Sequence, residues 1–172
     1  MAIHHHLDTT GRCFKAGNSA EKNFSRLANE KGYKATEATK KQEIYEHWDF
    51  RVEKDGKSHK VEVKSEKDFF IKDQSGQLTK DFLLVEFSGV TGHAGWLYGQ
   101  ADIVAFEKPD GFYLVPRTTL VRLAEKLCVA KLVSNKRDML YKSYGREGRQ
   151  DEVSAILLKD VIETKNFSFW KK

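Results

Sequence analysis

The chain has 172 residues, 40% apolar and 12% aromatic, with 30 basic and 25 acidic side chains and a net charge of +5. That is long enough for one sizeable core and short for two comfortable domains, so a single domain over residues 18–172 is expected. No apolar run approaches the roughly 18 residues of a membrane span and no charged-apolar-small leader opens the chain, which reads as a soluble cytoplasmic protein. Cys13 and Cys128 stand far apart in no CxxC pattern, which suggests neither a disulfide framework nor a structural zinc site.

Residues 1–17 read as a flexible polar tail, in which His4-His5-His6 have no preorganised geometry for a metal. Asn18-Ser19-Ala20-Glu21 then opens a predicted helix, with Ala20, Phe24, Leu27 and Ala28 at helical spacing and Gly32 as its end. Glu21 has two readings. It completes a capping box with Asn18, or it is a carboxylate carried at the edge of the buried stripe and so close to a sheet.

Residues 46–53 and 58–65 read as two strands, and Lys54-Asp55-Gly56-Lys57 between them carries the Asp-Gly signal of a two-residue type I′ hairpin. If Lys54 pairs with Lys57, the numbers of opposed residues sum to 111, and Asp49 lies across from Glu62. Alternation then sends Trp48, Phe50, Val52, Val61 and Val63 to one face, and His47, Asp49, Arg51, Lys60, Glu62 and Lys64 to the other. Opposed carboxylates cost about 0.2–1 kcal/mol or more. A hard divalent cation, Mg²⁺ or Mn²⁺, offsets that cost, and Lys64, two residues along the strand from Glu62, can hold or deprotonate a metal-bound water. The competing reading is an amphipathic hairpin with a solvated charged face.

Residues 67–81 form a long polar connection, followed by a predicted strand at 82–87 and a glycine-spaced loop (Gly89, Gly92, Gly95, Gly99) that fits neither a Walker loop nor a dinucleotide fingerprint. In that loop Trp96 is expected to pack. Strands are predicted at 101–107 and 112–115 around a Lys108-Pro109-Asp110-Gly111 turn, with Gln100 at the strand entrance, and a helix at 118–130. Residues 131–149 hold six basic side chains, Lys131, Lys136, Arg137, Lys142, Arg146 and Arg149, against Asp138 and Glu147, which reads as a mobile basic arm suited to phosphates. A last strand is predicted at 153–158, with Phe167, Phe169 and Trp170 pinning the C-terminus.

Asp49 followed by Glu62-Val63-Lys64 on the next strand, with Glu21 on an upstream helix, resembles the PD-(D/E)xK nuclease superfamily over roughly residues 18–130, with Trp48 where the superfamily's namesake proline would stand. The resemblance implies an α/β fold with a central mixed sheet flanked by helices, of the restriction-endonuclease-like type. It also implies Mg²⁺-dependent hydrolysis of phosphodiester bonds in nucleic acid, DNA foremost, with Mn²⁺ as a substitute. Asp49, Glu62 and the Val63 carbonyl would hold the metal, Lys64 would activate water, Glu21 would support the site and Gln100 would stand behind it. Lys136, Arg137, Lys142, Arg146 and Arg149 would meet the nucleic acid. A catalytically silent nucleic-acid-binding protein of the same fold is the alternative, and the oligomeric state, a homodimer included, stays open.

Overall fold

In the computed structural model, which describes residues 11–145 and 148–172, Asp55 and Gly56 both adopt positive φ, 50° and 74°. Those are the two left-handed residues that a type I′ turn needs. The register follows as expected, with Lys54 opposite Lys57, Val52 opposite His59 and Phe50 opposite Val61.

In chain order the elements are α1 (Arg12–Glu30), β1 (Lys34–Glu37), α2 (Lys40–Glu46), β2 (Phe50–Lys54), β3 (Lys57–Lys64), β4 (Ile71–Lys72), β5 (Leu78–Thr79), β6 (Phe82–Ser88), β7 (Ile103–Lys108), β8 (Gly111–Pro116), α3 (Arg117–Leu127), β9 (Val129–Val133), β10 (Lys142–Tyr144), β11 (Glu152–Leu157), α4 (Leu158–Glu163) and β12 (Ser168–Lys171). The protein is α/β with mixed sheets, and its elements fall into two compact units.

The first unit is built on a six-stranded sheet ordered β1-β2-β3-β7-β8-β12. β3 and β7 run parallel, with Val61, Glu62, Val63 and Lys64 opposite Ile103, Val104, Ala105 and Phe106. Helix α1 lays Ala20, Phe24, Leu27 and Ala28 on Phe50, Val52, Val61, Val63, Ala105, Phe112 and Leu114. Phe24 is its hub, with ring centroids 5.6–5.7 Å from Phe50, Phe112 and Trp170, the last stacked at 7°. Trp170 therefore does pin the C-terminus, through β12 paired with β8.

The helix starts earlier than its sequence signal. Gly11, at φ 65°, precedes Arg12 without a side-chain cap, and Asn18 lies inside α1, so the Asn18–Glu21 capping box does not form. Its end is as expected: Gly32 takes φ 80°, and the N–H groups of Gly32 and Tyr33 donate to Asn29 and Ala28. Strand β1 and helix α2 were not anticipated. Thr39 and Gln42 form the capping box that starts α2, and His47 ends it in the left-handed region, so the strand expected from residue 46 begins only at Phe50.

The second unit holds a four-stranded mixed sheet, β6-β11-β10-β9, and the small β4-β5 hairpin inside the connection expected to be irregular. Its core gathers Ile71, Phe82, Met139, Leu140, Ala155 and Leu157. Helix α3 stops at Leu127, three residues before its expected end, because Val129–Val133 joins the sheet as β9. The basic segment is thus not a free arm: β9, a 3-10 turn at Lys136–Asp138 and β10 build much of it into the unit. Trp96 packs as expected, at 5% exposure. Among the described residues no helix is long and apolar enough to cross a membrane.

Replacing Phe24 with Ala should cost about 3–5 kcal/mol in urea denaturation, since a fully buried aromatic hub leaves a cavity. Leu132→Ala, at a side chain 72% exposed, should stay within about 0.5 kcal/mol of wild type.

Candidate functional site

The β2–β3 ladder ends one residue short of the carboxylates. Phe50 pairs with Val61, and the Asp49 N–H also donates to the Val61 carbonyl, at 2.8 Å, so two consecutive residues oppose one, as in a β-bulge. Asp49 is therefore not the ladder partner of Glu62, as strict register implies. Its side chain turns instead to the next exposed donor, and Oδ2 accepts the Val63 N–H at 2.7 Å. Glu62 and Lys64 follow on β3, where the Lys64 ammonium donates to Glu62 Oε1.

Burial governs the charges here. The Asp49 carboxyl is pushed well above the ordinary carboxylate range, first by desolvation and then by the Glu62 charge, against which the Lys64 ammonium and the Val63 N–H act in the other direction. Glu62 is 7% exposed. Beyond these bonds, Asp49 Oδ1 and Glu62 Oε2 have no hydrogen-bond partner among the described residues. Glu21 on α1 is 6% exposed, and burial raises its pKa too, with Glu43 and Glu62 adding to the effect. It opens onto a cleft of about 520 Å³ between α1 and the β1–β2 edge, lined by Asn18, Lys22, Ser25, Asn29, Glu37 and Phe50.

The structure thus brings Asp49, Glu62, Val63 and Lys64 together and sets Glu21 within reach of their field. Gln100 goes elsewhere: its Oε1 faces the Lys60 ammonium at 3.5 Å and its N–H donates to Glu46. Trp48, expected on the core face with Phe50, lies with the polar face instead, its indole under Arg51 and Lys60, because the residues before Phe50 are outside the strand and escape its alternation. Lys136, Arg137, Lys142 and Arg149 belong to the second unit, where Lys136 lies over Phe69 at 4.6 Å; Arg146 is outside the described residues.

The network of Glu46, Trp48, Lys60 and Gln100 was not anticipated. One signal for it was in the register, which sets Arg51 opposite Lys60, two like charges in need of support. Cys128 offers no nucleophile at neutral pH, since burial pushes its thiol up to about 11. No protein-family model matches the chain, and no curated protein matches it.

Two carboxylates, each with one oxygen free of protein hydrogen bonds, are a donor set that suits a hard cation. Among the described residues no group of three or more His, Cys, Asp or Glu side chains is placed to hold a metal. A cation here would take the two carboxylates and fill its shell with a backbone carbonyl and water, as Mg²⁺ commonly does.

The raised Asp49 pKa has a definite sign in stability. The folded chain holds a proton that the unfolded chain releases above pH 3.8, so without divalent cation stability should fall as pH rises from there through the folded pKa. Asp49→Asn removes that slope. In EDTA its melting temperature should exceed wild type at pH 8 and converge on it in acid; a variant less stable than wild type at pH 8 would contradict this account of the site.

Proposed function

We propose that this protein is a metal-dependent nuclease that hydrolyses phosphodiester bonds in nucleic acid, with DNA as the leading substrate, on a restriction-endonuclease-like scaffold. One observation carries the reading: at the end of the β2–β3 ladder a half-buried Asp49 is held by Val63 N–H beside Glu62 and Lys64, where desolvation and then the Glu62 charge raise its proton affinity. The order of elements supports it, with Glu21 on α1, the hairpin next, then β7, β8 and helix α3.

Asp49 and Glu62, with the Val63 carbonyl, would hold Mg²⁺ or Mn²⁺. A bound cation supplies Lewis-acid polarisation of a phosphoryl oxygen and a lowered pKa for its water. The chain's own groups do the rest. Lys64, with its side chain 26% exposed, is released from Glu62 when that carboxylate is otherwise engaged, and then orients the attacking water and steadies charge on the phosphoryl oxygens. Glu21, buried on α1 and within reach of the Glu62 charge, would support the site from the α1 side.

Plasmid, linear duplex, single strand and four-way junction, each incubated with and without Mg²⁺, test the reading directly. Cleavage should need the cation, and Mg²⁺ at saturation should stabilise the wild type by about 1–3 kcal/mol through linkage. Lys64→Ala should lower turnover about 10²-fold or more with little change in nucleic-acid affinity. Glu62→Gln should lose both cleavage and the Mg²⁺-induced rise in melting temperature. Full cleavage by Lys64→Ala would move the chemistry elsewhere.

A further inference from the structure

The register that forms the hairpin sets Arg51 directly opposite Lys60, where like charges repel. Both cations lie over the indole of Trp48, the guanidinium carbon at 5.8 Å and the ammonium at 5.2 Å from the ring centroid. That indole is 2% exposed and is anchored by its Nε1–H, which donates to Glu46 Oε2 at 2.7 Å. Lys60 also meets Glu46 Oε2, at 3.2 Å, and its backbone N–H donates to Asp102 Oδ2 at 2.8 Å. Glu46 and Asp102 are therefore engaged with Lys60 and Trp48. The Arg51 side chain is exposed and has no hydrogen bond or ion pair among the described residues. A rigid aromatic base under an unpaired guanidinium holds five donors ready for an anion, in the fork geometry that suits phosphate oxygens.

Strand geometry decides which anion. Lys60, Glu62 and Lys64 alternate onto one face of β3, so the Arg51–Lys60 pair stands one side-chain repeat, about 6.6 Å, from Glu62, with Lys64 the same distance beyond. Positive charge thus flanks the carboxylates on both sides along the strand. A mononucleotide phosphate at the carboxylates would leave Arg51 without a partner, whereas a polynucleotide carries further phosphates at roughly 3.4 Å axial steps per strand of a duplex. We propose that Arg51, seated on Trp48 beside Lys60, binds a backbone phosphate neighbouring the one that reaches Asp49 and Glu62, so that the ligand is a polynucleotide strand lying along β3. This inference rests on the reading of Asp49, Glu62 and Lys64 as a phosphodiester site.

The test is fluorescence anisotropy of the full chain with labelled duplex and single-stranded oligonucleotides, in EDTA, across a series of salt concentrations. Arg51→Gln should weaken binding to all sequences alike and reduce the slope of log K against log salt by about 0.7–0.9, one phosphate contact, while Arg51→Lys retains most of the slope. The melting temperature of Arg51→Gln should match wild type. An unchanged slope overturns the proposal, and an unchanged slope with a lowered melting temperature assigns Arg51 to holding the hairpin. Mg²⁺-dependent cleavage is scored in parallel on the same oligonucleotides. Cleavage with an unchanged Arg51→Gln slope removes this subsite and leaves the nuclease reading, whereas a reduced slope without cleavage keeps the subsite and removes the nuclease reading.

Discussion

One hydrogen bond organises this site: the Val63 N–H to the Asp49 carboxylate, at 2.7 Å. Strand β3 outruns β2, since the antiparallel ladder stops at Phe50 and Val61 while pairing with β7 continues through Lys64. A backbone N–H at such a ladder end needs a partner. Asp49 supplies it with a side chain, and the carboxylate is thereby fixed next to Glu62 in surroundings that disfavour its charge. Strand mismatch, donor satisfaction and acidity are consequences of the same two residues.

The core makes that mismatch tolerable. Phe24 of α1 touches Phe50 of β2, Phe112 of β8 and Trp170 of β12, so the residue at which the ladder ends packs on a ring that is itself held by rings from two further strands. Ala20 and Glu21 are neighbours on the same helix, and the packing that seats the alanine against the sheet carries the carboxylate to 6% exposure. Its acidity is set by the same burial that stabilises the fold, and the Glu62 charge adds to the raised pKa of both Glu21 and Asp49.

Those three acids lie in a surrounding of cations. Lys64 answers Glu62 directly, while Arg51 and Lys60 are held one repeat away by Trp48 and Glu46. Acid at the centre and base along the strand is the pattern on which the proposed sites for a divalent cation and a polyanion rest. An ordinary solvated hairpin face has no need of a buried indole under two opposed cations.

Local chemistry in the sequence determined the hairpin. Asp55-Gly56 admits the left-handed pair of a type I′ turn, and that turn sets every pairing from Lys54 to Phe50, hence Arg51 against Lys60 and Glu62 two residues from Lys64. The apolar stripe of α1 and the strand at Phe82 were legible for the same reason, since periodicity is a property of neighbours in the chain. The capping box at Thr39 and Gln42 is equally local, a Thr-x-x-Gln signature that starts α2. Other features had no local signature. That β2 ends before β3 does, that Asp49 donates its N–H to Val61 and accepts the Val63 N–H on its carboxylate, and that Gln100 faces Lys60 depend on which strands lie alongside and how far each extends. The basic segment became sheet because Val129–Val133 and Lys142–Tyr144 found strand partners. A turn can dictate register over a few residues, but where a ladder stops, and what its last unpaired N–H must find, is decided by the assembled sheet.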